Sequence, residues 1–466
     1  MNTLHWFLPI LGTGLVAGCA GPLDQRWENP TYQTQQSRYM ERDLRVEDAP
    51  ISDQSSPAFG FDSLDALSVE DAIRLAIEHN PRLRAAGYRV DAASGRVLQA
   101  GLYPNPSLSF SGESIGADAG GGGETAYVIE QEIVLGGKLR RARDVAESDR
   151  HAAQAEFVAQ EFALATKVSR AYFSVVTART QLADRQGLAG LSSDLLEAVR
   201  ARVDAGSATE TDRLRAEVVH EQAQISLEAA RYAAKSALQS LASAIGVEEM
   251  TELPLSSSVD RFPELPAYEQ IVSSTLEANS RMSMARISVV RARQAHKLAQ
   301  ANSTPMLTAS VGPRYSDIDG ETTVDVGLNL EIPLFDRNQG EIGAMLSERL
   351  SASAELRNVQ LELLAEVADA WSVYQSSFSA VERYQQQLLP KAERTLDLTR
   401  QAYQSGKADY LRLLDAQQVL IESRLSYVNA AEQLHSAAAL LNELSHTHAQ
   451  WRNPRDEDQA NSEVNP

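Results

Sequence analysis

Cysteine, aromatic residues and positive charge are all scarce in this chain of 466 residues. The single cysteine, Cys19, excludes a disulfide framework and a zinc site built from cysteines. Aromatic residues make up only 6% of the sequence, which favours thin helical packing over one broad core. Lysine and arginine number 43 against 63 aspartates and glutamates, so the formal net charge is −20. This balance disfavours nucleic acid as a partner.

The N-terminal segment carries the pattern of a targeting signal. Residues 1–23 contain no acidic residue, lysine or arginine, and the stretch from Trp6 to Val16 is mostly apolar. Such a stretch is typical of a signal peptide and is too short to span a bilayer stably as a helix. The sequence Val-Ala-Gly-Cys that ends at Cys19 resembles the lipobox of bacterial lipoproteins. We therefore predict a signal peptide over residues 1–18, a covalent lipid on Cys19 and a polar tether over residues 19–66.

The rest of the chain repeats itself at an offset of about 200 residues, which is its strongest organisational signal. Matched landmarks lie 199 to 201 positions apart, and they are Glu132 with Glu331, Gly206 with Gly406, and Pro104 with Pro305. The first repeat is predicted over 67–265, with strands near 105–113 and 125–135 and a turn near 202–212. The second is predicted over 266–448, with strands near 305–315 and 322–333 and a turn near 404–415. A polar tail follows over 449–466.

Each repeat combines two short strands with long helices. Apolar residues occupy alternate positions from Val324 to Ile332, as expected for a strand with one apolar face. Four such strands cannot close a barrel, so they must pack on another layer or be completed by other chains. Leucine or tyrosine recurs every seventh residue from Leu413 to Leu441, which predicts coiled-coil packing. No proline occurs between Gly137 and Gly206, so that segment predicts one helix about 100 Å long.

Several short segments resemble the TolC family of outer-membrane efflux factors. They are Leu67–Ala72, Asn80–Pro81, Leu102–Pro106, Gln131–Ile133 and Leu135–Lys138. The last two are similar to the branch associated with cobalt-zinc-cadmium resistance pumps. The resemblance spans about residues 67–447 and implies a mainly α fold with a small membrane β-barrel portion. In such a homotrimer, each chain gives four strands to a twelve-stranded outer-membrane barrel and its helices to a long periplasmic α-helical barrel.

The resemblance also implies roles for the two helix-reversal turns, which the family places at the periplasmic tip. There we expect contacts with a periplasmic adaptor, and the candidate residues are Arg202, Gly206, Ser207, Gly406 and Lys407. Candidate gate residues are Asp415, Asp409 and Glu210. Asp415 matches a position where some members carry a gate aspartate, whereas Arg412 stands where a neighbouring gate acid is expected. Three symmetry-related Asp415 side chains would ring the pore and favour cations.

No residue pattern points to an enzyme. Gly112–Gly116 matches a nucleophile elbow in spacing, but a glycine-rich loop follows it instead of a helix. His446 and His448 have no further metal-ligand spacing around them, so no metal site and no cofactor beyond the lipid on Cys19 are expected. The predicted function is a lipid-anchored exit duct in the bacterial outer membrane, working with an adaptor and an RND-type pump in the inner membrane.

Divalent heavy metals such as cobalt, zinc and cadmium are the predicted cargo. Drugs, or copper and silver, are the alternatives within the family. A structural periplasmic coiled-coil lipoprotein is the alternative from another class, and its strands should lack an outward apolar band.

Overall fold

The computed structural model describes residues 66–113, 123–250, 254–256, 262, 264–317 and 319–446. The predicted signal peptide, Cys19, nearly all of the tether, His448 and the polar tail lie outside the described residues. Within the described residues, no helix combines the length and the apolar character needed to cross a bilayer.

Both halves of the described chain follow one order of elements. The first half contains α1 (Val69–His79), α2 (Pro81–Ala100), β1 (Ser107–Glu113), β2 (Glu124–Ile133), α3 (Lys138–Asp204) and α4 (Glu210–Ile245). The second contains α5 (Tyr268–Ala278), α6 (Ser280–Asn302), β3 (Leu307–Ser316), β4 (Glu321–Leu330), α7 (Gln339–Arg383), a π-helix (Tyr384–Leu388), α8 (Leu389–Gln404) and α9 (Tyr410–Ser445). The fold is therefore mostly helical with four strands, as the sequence predicted.

Two asparagines begin equivalent helices and fasten them to equivalent partners. The Asn80 side chain accepts the backbone N–H of Arg82 at the start of α2, and its own amide donates to the Ala244 carbonyl at 2.9 Å. Asn279 does the same at the start of α6, where its amide donates to the Leu444 carbonyl at 2.9 Å. A short side chain that accepts from the first helical turn is a strong N-cap. The repeat in sequence is thus a repeat in hydrogen bonding.

The four strands form one antiparallel sheet in the order β1-β2-β3-β4. The β2–β3 register places Ile129 opposite Val311 and Ala126 opposite Arg314, and pairing is interrupted between these positions, at Gly312 and Pro313. Pro313 has no N–H to donate, which explains the interruption. The structure ends β4 at Leu330, three residues before the predicted end, and irregular chain leads from there to α7.

The long helices form a layer whose order follows that of the strands. Near the sheet, α2 packs on α3, α3 on α6, and α6 on α7. Farther along, α4 packs on α3, α3 on α9, and α9 on α8 and α7. The helix α3 has 67 residues and is therefore about 100 Å long, as predicted from the absence of proline.

The best-buried residues lie where the short helices meet the middle of the long ones. Tyr172 of α3 is fully buried, and its hydroxyl donates to the Leu67 carbonyl at 2.8 Å. Leu67 also forms a parallel bridge with Leu255, in the segment between the two halves. Leu434 and Leu441, two of the predicted heptad positions of α9, are fully buried as well. The predicted heptads therefore describe the core of the helical layer.

Candidate functional site

Two helix-reversal turns end the long helices, and they share the same geometry. Gly206 and Gly406 have φ angles of 71° and 73°, in the left-handed region that favours glycine. After α3, the Ser207 N–H donates to the Arg202 carbonyl at 2.8 Å. After α8, the Lys407 N–H donates to the Ala402 carbonyl at 2.8 Å. Both turns are thus glycine C-caps of the Schellman type.

The helix that follows each turn begins with a side-chain cap. Before α4, Thr209 and Asp212 form a reciprocal capping box, in which each side chain accepts the other's backbone N–H. The hydrogen bonds from the Thr209 side chain and backbone hold the pKa of the Asp212 carboxyl below its ordinary value. Before α9, the Asp409 side chain accepts the Arg412 N–H at 3.0 Å. These caps fix where both helices restart.

The three candidate gate acids occupy different environments. Glu210 pairs with Arg213 on the first turn of α4, and Asp409 serves as the N-cap of α9. Asp415 lies farther along α9 and is exposed, between the buried residues Leu413 and Ala416. Of the three, Glu210 and Asp409 have local structural partners that account for their presence. The gate roles remain predictions.

The candidate adaptor residues lie around the two turns, and one of them links the turns to each other. The Arg202 guanidinium donates to the Tyr403 hydroxyl at 3.4 Å and lies over the Tyr403 ring, 5.8 Å from its centre. Ser207 and Lys407 are parts of the two C-caps. Tyr403 was not among the predicted site residues. Arg202 and Tyr403 are 201 positions apart, and the repeat is the only signal in the sequence that relates them.

A second link joins the two helix pairs farther from the turns. Arg424 of α9 donates to Asp184 of α3 at 3.2 Å and to Glu393 of α8 at 3.0 Å. Partial burial lowers the pKa of the Arg424 guanidinium, but the hydrogen bond from Arg424 to Glu393 and the charge of Asp184 outweigh it, so the net direction is upward. Arg424 therefore stays charged and holds three helices together.

One face of the sheet is apolar and not covered by the described chain. Its side chains alternate with polar ones along all four strands, and several are at least half exposed: Leu108, Phe110, Tyr127, Ile129, Val324, Val326 and Leu328. An uncovered apolar band of this kind marks a surface that meets another apolar phase or protein.

The opposite face of the sheet is polar and mostly acidic. Six carboxylates point to it according to the strand register, and they are Glu113, Glu124, Glu130, Glu132, Glu321 and Asp325. Arg314 lies on the same face and donates to Glu124 and Asp325, each at 2.7 Å. This arginine joins three neighbouring strands and neutralises part of their charge.

The C-terminal histidine candidate has a structural role. His446 ends α9 with a φ of 51°, and its ring stacks on Phe162 with centroids 3.9 Å apart. The Ser280 N–H donates to His446 Nε2 at 3.4 Å. Across the described part of the chain, no group of three or more His, Cys, Asp or Glu residues is arranged to hold a metal ion.

Comparison with known families matches this repeated arrangement twice. The model for the family "Outer membrane efflux protein" matches residues 72–247 and again residues 271–445. The chain belongs to the outer membrane efflux protein family. The resemblance to TolC-family channels is thereby confirmed, and so is the prediction that the chain is not an enzyme, because members of this family are transport proteins.

The names of similar proteins refer to different substrates. Cobalt-zinc-cadmium resistance protein CzcC of Cupriavidus metallidurans is 26% identical over 83% of this chain and 92% of its own length. Pyoverdine export outer membrane protein OpmQ of Pseudomonas aeruginosa is 27% identical over 92% of this chain and 96% of its own. Among solved structures, the Campylobacter jejuni CmeC outer membrane channel superposes with a TM-score of 0.71 at 14% identity, covering 85% of this chain and 89% of that one.

Family and fold together establish the general function. The chain is an outer membrane efflux channel of a tripartite system, and it reaches into the periplasm. Channels of the TolC family combine a β-barrel with a helical barrel, and they are trimers that work with adaptors and pumps. In this architecture the apolar face of the sheet is suited to lipid and its polar face to the lumen.

Proposed function

We propose that this channel is the exit duct for divalent heavy-metal cations such as cobalt, zinc and cadmium. The observation that carries the proposal is the acidic polar face of the sheet, where Arg314 is outnumbered by six carboxylates. In a lumen, such a surface would raise the local concentration of cations and lower that of anions. The similarity to a cobalt-zinc-cadmium resistance protein points the same way. The alternative is a duct of the same family for drugs or for copper and silver.

In this proposal the chain works as a homotrimer with a periplasmic adaptor and an inner-membrane RND-type pump. The pump would supply energy and select the cargo, so the duct needs no catalytic group. The adaptor would bind the two turns, at Arg202, Gly206, Ser207, Gly406 and Lys407. Adaptor contacts that favour the open arrangement of the tips would open the lumen by shifting a pre-existing equilibrium.

The proposed gate residue is Asp415. It is exposed on α9 near the tip, where three copies would face one another around the pore axis and repel each other. We expect Asp415→Ala to raise ion conductance in planar bilayers. Glu422→Ala, which removes another exposed carboxylate of α9 farther from the tip, serves as the matched control. Equal conductance of wild type and Asp415→Ala would remove Asp415 from the gate.

Lipidation of Cys19 is the proposed means of anchoring. Acyl chains on the mature N-terminus would hold the chain at the membrane in addition to the sheet. Mass spectrometry of the purified protein tests this, because the lipidated N-terminal peptide is heavier than the free one by the mass of its acyl groups. Detection of an unmodified Cys19 in the mature protein would refute it.

The cargo is tested with a deletion strain exposed to zinc, cadmium, cobalt, copper, silver and several hydrophobic drugs. We expect sensitivity to the divalent metals, restored by the wild-type gene. Sensitivity to drugs alone would replace the proposed cargo but keep the duct. A structural lipoprotein, the alternative of another class, would complement no efflux defect and would form no conducting trimers in bilayers.

A further inference from the structure

Arg314 lies between two carboxylates of neighbouring strands on the polar face of the sheet. Its Nη1 donates to Glu124 Oε2 of β2 at 2.7 Å. Its Nε donates to Asp325 Oδ2 of β4 at 2.7 Å, and its Nη2 lies 2.7 Å from the same oxygen. The two carboxylates therefore face different edges of one guanidinium, and the width of that planar group separates them.

The strand register explains why an arginine side chain fits at this place. Ala126 of β2 stands directly opposite Arg314 and is buried, although most residues of the sheet are exposed or partly exposed. Its methyl group leaves room for a long side chain to cross the sheet. Glu124 lies two positions before Ala126 on β2. Asp325 lies two positions after Thr323, which is the partner of Arg314 on β4. Residues two positions apart in a strand share a face, so Arg314 reaches both acids diagonally.

This group of three side chains is open to water in the outer half of the sheet. The side chains of Arg314, Glu124 and Asp325 are 39%, 40% and 44% exposed. They lie in the half of the sheet that is nearer the hairpin connections, and the helices begin at the opposite ends of the strands. Because the helices reach into the periplasm, the hairpin end opens outside the cell. Ions that leave the duct and ions outside the cell therefore both meet this group.

Without the arginine, Glu124 and Asp325 would have the chemistry of a divalent-cation site. Carboxylate oxygens bind magnesium, calcium and zinc ions at about 2.0–2.6 Å, and two carboxylates balance the charge of one such ion. Both side chains are exposed enough to turn towards an ion that took the place of the guanidinium. An ion held there would obstruct the lumen, because conduction requires that ions leave a site as readily as they enter it.

We propose that Arg314 is a tethered counter-ion that keeps Glu124 and Asp325 from retaining divalent cations near the outer end of the duct. Because Arg314 is attached to β3, its guanidinium competes with free ions at a high effective concentration. The other carboxylates of the polar face still attract cations. The inference goes beyond the proposed function and does not depend on the cargo, because divalent cations outside the cell reach the same group.

The conductance of the purified full-length channel in planar bilayers tests this role. Potassium chloride carries the current, and zinc or calcium chloride is added in steps on both sides. We expect Arg314→Gln to be blocked at divalent-cation concentrations about tenfold or more below those that affect wild type. Arg337→Gln is the matched control, because it removes an exposed arginine whose side chain donates to the backbone carbonyl of Leu334. This control should respond to divalent cations as wild type does.

A triple variant separates competition with ions from a purely structural role of the arginine. Arg314→Gln combined with Glu124→Gln and Asp325→Asn lacks the carboxylate pair, and it also lacks the links between strands. We expect its sensitivity to divalent cations to return to that of wild type. A block that persists in the triple variant overturns the inference, and so does the absence of any block in a conducting Arg314→Gln channel.

Arg314→Lys keeps the inference testable if Arg314→Gln forms no channel. Its single ammonium group keeps the charge but lacks the fork that engages both carboxylates, so we expect a block at intermediate concentrations. Equal sensitivity of Arg314→Lys and wild type would then overturn the inference. These outcomes are distinct from a failure of the proposed function: a deletion strain without metal sensitivity removes the proposed cargo, whereas the block is measured on the purified channel.

Discussion

The two halves of this protein reach the tip in different ways. In the first half one uninterrupted helix of 67 residues, α3, covers the whole distance. In the second half, α7 with 45 residues, a π-helix with five and α8 with 16 cover it, which makes 66 residues. The two halves therefore agree in the length of this helical segment, but only in the first half is the segment one regular α-helix. The sheet at one end and the turn at the other fix the length of this segment in both halves. They do not require that the segment be one regular α-helix.

Pro390 gives a physical reason for the irregular stretch. Proline has no N–H to donate and its ring conflicts with the carbonyl four residues earlier, so the turn before it widens. The wide turn aims Gln385 at α9, where its amide donates to the Tyr427 hydroxyl at 2.6 Å. The equivalent position in the first half is Gly190, on an exposed side of α3. A weak helix former is present in both halves, but only one of them distorts the helix.

The largest expected effect comes from unequal burial at equivalent positions. Tyr172 is fully buried, whereas Trp371, 199 residues later, is only partly buried. We expect Tyr172→Ala to cost about 3–5 kcal/mol of stability, because it opens a large cavity and removes one hydrogen bond to the Leu67 carbonyl. Trp371→Ala should cost less. Unfolding of the purified channel in denaturant measures both, and equal losses would contradict the difference in burial.

The second-largest loss of stability is expected when a proline is introduced into the regular helix α3. Gly190→Pro should destabilise α3 by about 3 kcal/mol, because a regular helix loses a hydrogen bond and gains a clash. Gly190→Ala is the matched control and should be neutral or stabilising. Thermal unfolding compares the two variants. A mild effect of the proline would mean that α3 forms a π-turn as readily as the second half does.

A smaller effect is expected from removing the irregularity. Pro390→Ala should let α7 and α8 merge into one α-helix and slow amide exchange over 384–394. Hydrogen exchange read by mass spectrometry compares this segment with residues 184–194 of α3 in the same sample. Unchanged exchange in the variant would show that neighbouring helices, and not Pro390, hold the π-helix.

The smallest expected effect on stability concerns the N-terminal cap of α4. The pKa of Asp212 is lowered by folding, so its stabilising effect is present above the ordinary aspartate value of 3.8 and is lost as the pH falls through the lower folded value. Asp212→Asn should therefore destabilise slightly at pH 7 and less at pH 3. Thermal midpoints at both pH values measure this. A difference that does not depend on pH would exclude the carboxylate as its cause.

The periodicity of the sequence predicted most of the fold, but it did not predict the contacts between segments that are far apart in sequence. The four strands, the glycine turns and the heptads of α9 all follow from local patterns such as the alternation from Val324 to Ile332. The link between Arg202 and Tyr403 and the bridge made by Arg424 do not, because their partners are far apart in sequence. The π-helix does not follow from local patterns either: a proline such as Pro390 indicates that a helix is disturbed, but not in which form, and the disturbed turn places Gln385 against Tyr427 of a distant helix.

The bridge at Leu67 has a consequence for the order in which the chain matures. Leu67 accepts from Ser256 and donates to Pro254, so its place is defined by residues made almost 190 positions later. A chain that crosses a membrane N-terminus first presents Leu67 long before those partners arrive. The hydroxyl of Tyr172 then has no ordered carbonyl to donate to, and the start of α1 is held only by its local Ser68 N-cap. We expect the first half to remain incompletely packed until the segment between the halves has emerged. The emergence of that segment therefore determines when the first half can complete its packing.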